Sequence, residues 1–270
     1  MHLERHMLSG MPPYAVKTVE NGRLAWYGRA ARPDFWDEYW ATRSFGEVRL
    51  RAREGYLGPF EGVFTRYLPE LGRILEAGCG PGHLVVALRT RGYDIEGVEW
   101  SQRTVEAAKR TWPDVPIRLG DVTSLDVPDG WYSGYISIGV VEHSRAGPGP
   151  FLREARRVLA PGGVALVAVP YFHPVRRLKA LLACYRAQPN GLEFYQYAFT
   201  EDDIDAELRE AGFHVLTHFR YDGFEKLREE MPTLRWLCAL RGVGWRLRRI
   251  LCRLAWLDRH LGHMTLAICS

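Results

Sequence analysis

The chain has 270 residues, 47% hydrophobic and 25% charged, which is ordinary globular usage and excludes wholesale disorder. Its 36 Lys and Arg against 32 Asp and Glu give a formal charge of +4, yet seven arginines sit within residues 235–259 beside a single acid, Asp258. That block carries +6 and leaves −2 on the rest, which argues against a dedicated nucleic-acid-binding face and keeps open a local anionic contact.

The first 30 or so residues read as a leader followed by a hairpin around Asn21-Gly22, a pair suited to the positive φ angles of a type I′ turn. Pro33-Asp34 opens a helical stretch through Trp40, and a second helix is expected from Glu47 to Tyr67. Residues 1–68 are thus expected to form a hairpin and helical lid ahead of the main domain, 69–270.

From Arg73 a repeating unit appears. The strand Ile74-Leu75 ends in Glu76-Ala-Gly-Cys-Gly-Pro-Gly82 and opens a helix. The next strand ends in Glu99, with Ser101 as helix N-cap; the third ends in Gly120-Asp121, and the fourth, Tyr135 to Ile138, near Glu142-His143. A helix around Phe151 to Leu159 leads to Pro161-Gly-Gly163 and a strongly apolar strand. The landmarks Glu76, Glu99, Asp121, Glu142 and Gly163 are 23, 22, 21 and 21 residues apart. Strand, turn, helix and turn at that period make βα units. The fold class expected is α/β: a doubly wound, Rossmann-like, seven-stranded and mostly parallel sheet with an antiparallel last strand and helical insertions.

Beyond Val169 the pattern breaks. Pro174 to Gln188 reads as an amphipathic helix, followed by the aromatic run Phe194-Tyr-Gln-Tyr-Ala-Phe199; residues 171–199 are read as a substrate-cap insert. Thr200-Glu-Asp-Asp203 is a capping box opening a helix to Ala211, Phe213 to Tyr221 a sixth strand, and His263 to Cys269 the last. Residues 222–262 form a basic helical insert. Its leucines at helical spacing between arginines suit first a helix packed on the sheet, since a final strand must still return to it, and, as the alternative over 234–259, one lying on an anionic membrane. The longest nearly continuous apolar run, 163–172, is too short to cross a bilayer. No signal-peptide pattern opens the chain, and five scattered cysteines form no Cys-x-x-Cys pair. A reduced, cytoplasmic protein without a metal site is expected, with peripheral membrane contact as an option.

Gly78, Gly80 and Gly82, between a strand and a helix, let the backbone approach a ligand and present helix N-terminal N–H groups. Alone they also suit a dinucleotide site or a tight turn. The acids discriminate. Glu99 is placed for ribose hydroxyls and Asp121 for an exocyclic amine, and four acidic strand ends repel a pyrophosphate while attracting a cation.

Here the residues resemble a known family. Glu76 to Gly82 looks like motif I of the class I S-adenosylmethionine-dependent methyltransferases, Glu99 is similar to their ribose-binding acid, and Gly120-Asp121-Val122 to their adenine-binding motif. Ile138-Gly-Val-Val-Glu-His143 and Arg157 to Gly163 resemble the segments around their fourth and fifth strands, in the style of the small-molecule, quinone-biosynthesis branch. The resemblance implies S-adenosyl-L-methionine as cofactor, held by Glu76, Gly78, Cys79, Gly80, Gly82, Glu99, Trp100, Ser101, Asp121, Val122, Ile138 and Gly139. It implies in-line methyl transfer to a small apolar or aromatic acceptor, with His143 and Glu142 as catalytic candidates and no nucleic-acid partner. Tyr171, Phe172, Phe194 and Phe199 suggest an aromatic cap over the acceptor, though any single ring reads more readily as packing the insert onto the core, and His173, Tyr195 and Tyr197 are secondary candidates for the proton-handling role. Two rival readings remain: a non-catalytic protein that binds the same cofactor to regulate, and an NAD-dependent oxidoreductase.

Overall fold

The computed structural model describes residues 14–42, 46–224, 230–231, 236–238 and 255–270. The leader hairpin is β1 (Tyr14–Glu20) and β2 (Arg23–Gly28), turning through Asn21 and Gly22 at φ +50° and +80°. Helices α1 (Pro33–Ala41), α2 (Gly46–Arg53) and α3 (Glu61–Tyr67) follow. The single helix expected over 47–67 is therefore two. Gly55 and Gly58 take φ +72° and +60°, and Pro59 removes a helical N–H donor.

The repeating unit then runs β3 (Ile74–Ala77), α4 (His83–Thr90), β4 (Ile95–Glu99), α5 (Gln102–Thr111), β5 (Ile117–Leu119), β6 (Tyr132–Ile138), α6 (Gly149–Val158) and β7 (Leu159–Pro170). It continues with α7 (Pro174–Leu181), β8 (Glu193–Ala198), α8 (Glu201–Glu210), β9 (Val215–Tyr221), α9 (Ala255–Leu261) and β10 (Met264–Cys269). The predicted capping box closes at the head of α8, where Thr200 Oγ1 accepts from the Asp203 amide and Asp203 Oδ2 from the Thr200 amide, both at 3.1 Å. α7 stops earlier than expected, just ahead of Ala183 at φ +59°. Of the arginine-rich stretch 234–259, only 236–238 and 255–259 are among the described residues, so the expectation for it lies mostly outside them.

Seven strands align as β5-β4-β3-β6-β7-β10-β9, parallel except for β10, which runs antiparallel to β7 and β9. Apolar residues are consecutive along these strands because both faces are covered. Ile74, Ile95, Ile136 and Leu166 pack against Val85, Leu88, Val105 and Ala108 of α4 and α5. Leu75, Val98, Tyr135 and Val167 pack against Leu152, Ala155, Ile204 and Leu208 of α6 and α8. Each buried Leu or Ile contributes about 1.5–3 kcal/mol. From β3 the chain winds outward to β5 on one side and, after crossing over, from β6 to β7 on the other. The switch in direction beside β3 opens a crevice at the carboxyl ends of the strands.

A second, antiparallel sheet orders β1-β2-β8 and joins the leader hairpin to the aromatic run. Glu230 ties this sheet to α7: it accepts from Lys17 Nζ at 2.5 Å, Lys179 Nζ at 2.6 Å, Tyr185 Oη at 3.1 Å and Arg176 Nε at 3.2 Å. Burial opposes ionisation of Glu230, but the Lys17 and Arg176 charges hold its carboxyl well below the usual range.

Candidate active site

The crevice is a cavity of about 630 Å³, lined from four sides. Its floor is the edge of the large sheet. The amides of Gly78 and Cys79 both donate to the Val98 carbonyl, at 2.8 and 3.0 Å, which pins the loop after β3 onto β4. Gly78 stands at φ +78°, where a Cβ would lie 2.4 Å from Val140 Cγ2. At Gly80, φ +51°, a Cβ would lie 2.9 Å from the Trp40 ring. Only glycine fits both the backbone angle and the neighbour.

Glu99 is buried at the end of β4, its Oε2 accepting from the Gly80 amide at 2.9 Å and its Oε1 from the Ser101 amide at 3.0 Å. Burial raises its pKa, while those amide bonds oppose the rise. Glu76 is also buried, and its Oε2 has no hydrogen-bond partner among the described residues. Burial chiefly pushes its carboxyl up to about 8. A buried acceptor without a partner costs about 1–3 kcal/mol, so Glu76 is built to meet a donor. Asp121 Oδ1 accepts from the amide and hydroxyl of Thr123 at 2.8 and 2.7 Å, which orients the carboxyl at the end of β5.

His143 stands where β6 runs into a short 3-10 turn. Its Nδ1 lies 2.9 Å from the Tyr195 carbonyl. A carbonyl only accepts, so Nδ1 carries the proton and Nε2 of the neutral ring carries the lone pair. Burial lowers the His143 pKa to about 4, so the ring is neutral at pH 7. Pairing between β2 and β8 steps from Trp26↔Gln196 to Tyr27↔Phe194, which leaves Tyr195 outside the ladder register as a bulge. The bulge lets that carbonyl turn to His143. Glu142 is 2% exposed; its Oε1 lies 3.9 Å from His143 Nε2, and its Oε2 has no partner among the described residues. Burial pushes this carboxyl, too, up to about 8.

All the site residues expected from sequence line this one cavity except Gly82 and Ser101. Gly82 is needed for packing, since a Cβ there would lie 2.1 Å from Ile117 Cδ1. Ser101 is the N-cap of α5, accepting from the Thr104 amide at 3.1 Å, and its hydroxyl donates to Asp37 of α1. The Cys79 thiol is buried, and burial followed by the charges of Glu76 and Glu99 pushes its pKa far up, so it is inert.

The rings of the insert mostly take the core-packing alternative. Of the aromatic residues named in the insert, only Tyr195 lines the cavity; Phe194, Tyr197 and Phe199 pack into the main core and Phe172 beneath the small sheet. The wall comes instead from Trp36, Tyr39 and Trp40 of α1, with Tyr56 and Phe60 beyond. Trp36 and Tyr195 flank the His143 ring at 5.2 and 4.9 Å between centroids. Spacing of 36, 39 and 40 marks one helical face in the sequence, a signal equally suited to core packing.

A family model described as a methyltransferase domain matches residues 51–218, more than half of the chain. The chain belongs to the class I S-adenosylmethionine-dependent methyltransferases. Among its relatives, the ubiquinone biosynthesis O-methyltransferase of Caulobacter sp. (strain K31) is 32% identical over 227 residues, 78% of this chain and 86% of that protein. A probable S-adenosylmethionine-dependent methyltransferase of Mycolicibacterium smegmatis is 34% identical over 97 residues, 36% of this chain, which spans only 37% of that protein's length. The crystal structure of an S-adenosylmethionine-dependent methyltransferase from Thermotoga maritima superposes with a TM-score of 0.54 at 20% identity, over 88% of this chain and 96% of that one. At that identity the likeness shows the fold alone.

The residues present fit the family's cofactor, S-adenosyl-L-methionine. The fit rests on the glycine cradle, the partnerless Glu76 oxygen and the carboxyl at the end of β4.

Proposed function

We propose that this methyltransferase-family protein transfers a methyl group to a small apolar or aromatic organic acceptor by in-line displacement. The observation that carries the reading is one cavity shared by the strand-end acids Glu76, Glu99 and Asp121 and by a neutral histidine with its lone pair at Nε2. When bound, S-adenosylmethionine supplies a methyl group already activated on a sulfonium. Glu99 would hold ribose hydroxyls through lone pairs beyond those given to Gly80 and Ser101, Asp121 with Val122 the adenine, and Glu76 the amino group. Gly78 and Gly80 line the cavity between these groups, where the methionyl chain would pass along their backbone. Positioning does most of the work in such a displacement, and His143 Nε2 takes the acceptor's proton. The rings of α1 exclude water from above.

S-adenosylhomocysteine at a hundred times its Kd stabilises by about 2.7 kcal/mol, a melting shift on the order of 5–10 °C. Glu99→Ala removes that shift. No shift with the wild-type protein at millimolar ligand overturns the reading.

A further inference from the structure

The described lining of the whole cavity contains five carboxyl groups, Glu76, Glu99, Asp121, Glu142 and Asp222, and no Lys or Arg, in a chain that holds 36 of those cations. With Glu76, Glu99 and Asp121 given to the cofactor, Glu142 and Asp222 remain for the acceptor. Beside His143 this acidity meets aromatic rings, with Trp36 and Tyr195 packed edge-on to the imidazole. The Glu142 carboxyl, 2% exposed and lining the same cavity, offers Oε2 without a partner among the described residues. We propose that the acceptor is an organic amine, its nitrogen held by Glu142 and the aromatic wall, and that this nitrogen receives the methyl group.

The proposal rests on the methyl-transfer reading and deepens it. It turns on the sign of the charge that develops on the acceptor. An oxygen acceptor must lose its proton and become anionic, which a negative potential opposes. An amine needs no anion. One N–H proton passes from the ammonium to His143 Nε2, the freed lone pair forms the N–C bond, and the C–S bond breaks with its pair retained by sulfur. Positive charge remains in the cavity throughout, where carboxylates and ring faces stabilise it. Burial holds the His143 pKa near 4, so this transfer is uphill for the ring alone, and the Glu142 carboxylate, its Oε1 3.9 Å from Nε2, offsets the charge of the imidazolium formed. The ubiquinone-biosynthesis relative is named for an oxygen acceptor, so the inference separates this chain from it.

The test uses the full chain saturated with S-adenosylhomocysteine and three probes of similar shape: benzyltrimethylammonium, benzyl alcohol and benzoate. Calorimetry at pH 8.5 should show the cation binding at least about tenfold more tightly than either of the others. Burial sets the Glu142 carboxyl near 8, so lowering the pH to 6.5 should weaken the cation about tenfold as that group protonates. Glu76 at the end of β3 titrates in the same range. His143, His83, His263, Glu99, Asp121, Asp222, Cys79, Tyr39, Tyr56, Tyr195 and Tyr221 are the other titratable groups of the described lining. The Glu142→Gln arm therefore assigns the effect, and it should flatten the profile. A flat profile in the wild type, or benzyl alcohol or benzoate binding as tightly as the cation, overturns the inference while the cofactor-induced melting shift keeps the methyl-transfer reading standing. Loss of that shift overturns both.

Discussion

The floor of the cavity is made from consecutive strand ends of one sheet, whereas its wall is assembled from pieces far apart in the chain. Glu76 and Glu99 stand at the ends of β3 and β4 and Asp121 just beyond β5, and their places are fixed by the ladder that aligns these parallel strands. The wall needs α1, a bulge in β8 and the turn after β6 to meet at one point, and His143 depends on a carbonyl 52 residues away. The floor is a property of the fold. The wall is a property of this chain, and specificity for an acceptor belongs there.

Removing His143 separates the two most strongly. His143→Ala should lower kcat about 10²–10⁴-fold, the usual worth of a placed base. The Kd for S-adenosylhomocysteine, which the proposed site assigns to the floor, should move less than about threefold. Turnover on whichever small acceptor the protein methylates, with calorimetry alongside, measures both. If the substitution abolishes cofactor binding instead, floor and wall are one energetic unit.

The ion cluster at Glu230 offers a second break, smaller and structural. Glu230→Ala leaves Lys17, Arg176 and Lys179 facing each other, with Arg176 only 3% exposed. Uncompensated buried charge of this kind costs about 3–5 kcal/mol. Hydrogen exchange should accelerate in β1, β2 and β8 while β3, β4, β6 and β7 stay protected. Equal acceleration in both sheets removes the distinction.

The sequence carries the floor plainly because the rule there is local. A strand, a glycine turn and an acid at fixed spacing leave few alternatives, and the order β5-β4-β3-β6-β7-β10-β9 follows the expected doubly wound pattern. Gly82 and Ser101 show the limit of the motif: a glycine can be required by Ile117 and a serine by the head of α5, and neither demand is distinguishable from a ligand's in one dimension. The wall was legible only in kind. Aromatic residues were plentiful in both the leader and the insert, but which of them face the cavity is set by a bulge at Tyr195 and by the docking of α1, and each arises from tertiary pairing. Phe194 and Phe199 share the chemistry of Trp36 and Tyr39 and serve the core instead.

Asp37 is where floor and wall touch, and the effect there should be the smallest. The Ser101 hydroxyl donates to its carboxylate, joining α1 to the head of α5 directly after Glu99. Asp37→Ala removes that one bond and leaves Ser101 capping α5 through the Thr104 amide. A partly buried bond to a charged group contributes about 1.5–3 kcal/mol at most, and water can replace part of it here, so about 1 kcal/mol is expected. The consequence should reach the floor through Trp40, whose ring lies over Gly80, and through Ser101, whose amide donates to Glu99. S-adenosylhomocysteine affinity should therefore fall a few-fold, against the complete loss expected for Glu99→Ala. Calorimetry on the two variants compares them directly. If Asp37→Ala weakens the ligand as much as Glu99→Ala does, α1 is part of the cofactor site rather than a wall beside it, and the line between the two regions must be drawn through the helix itself.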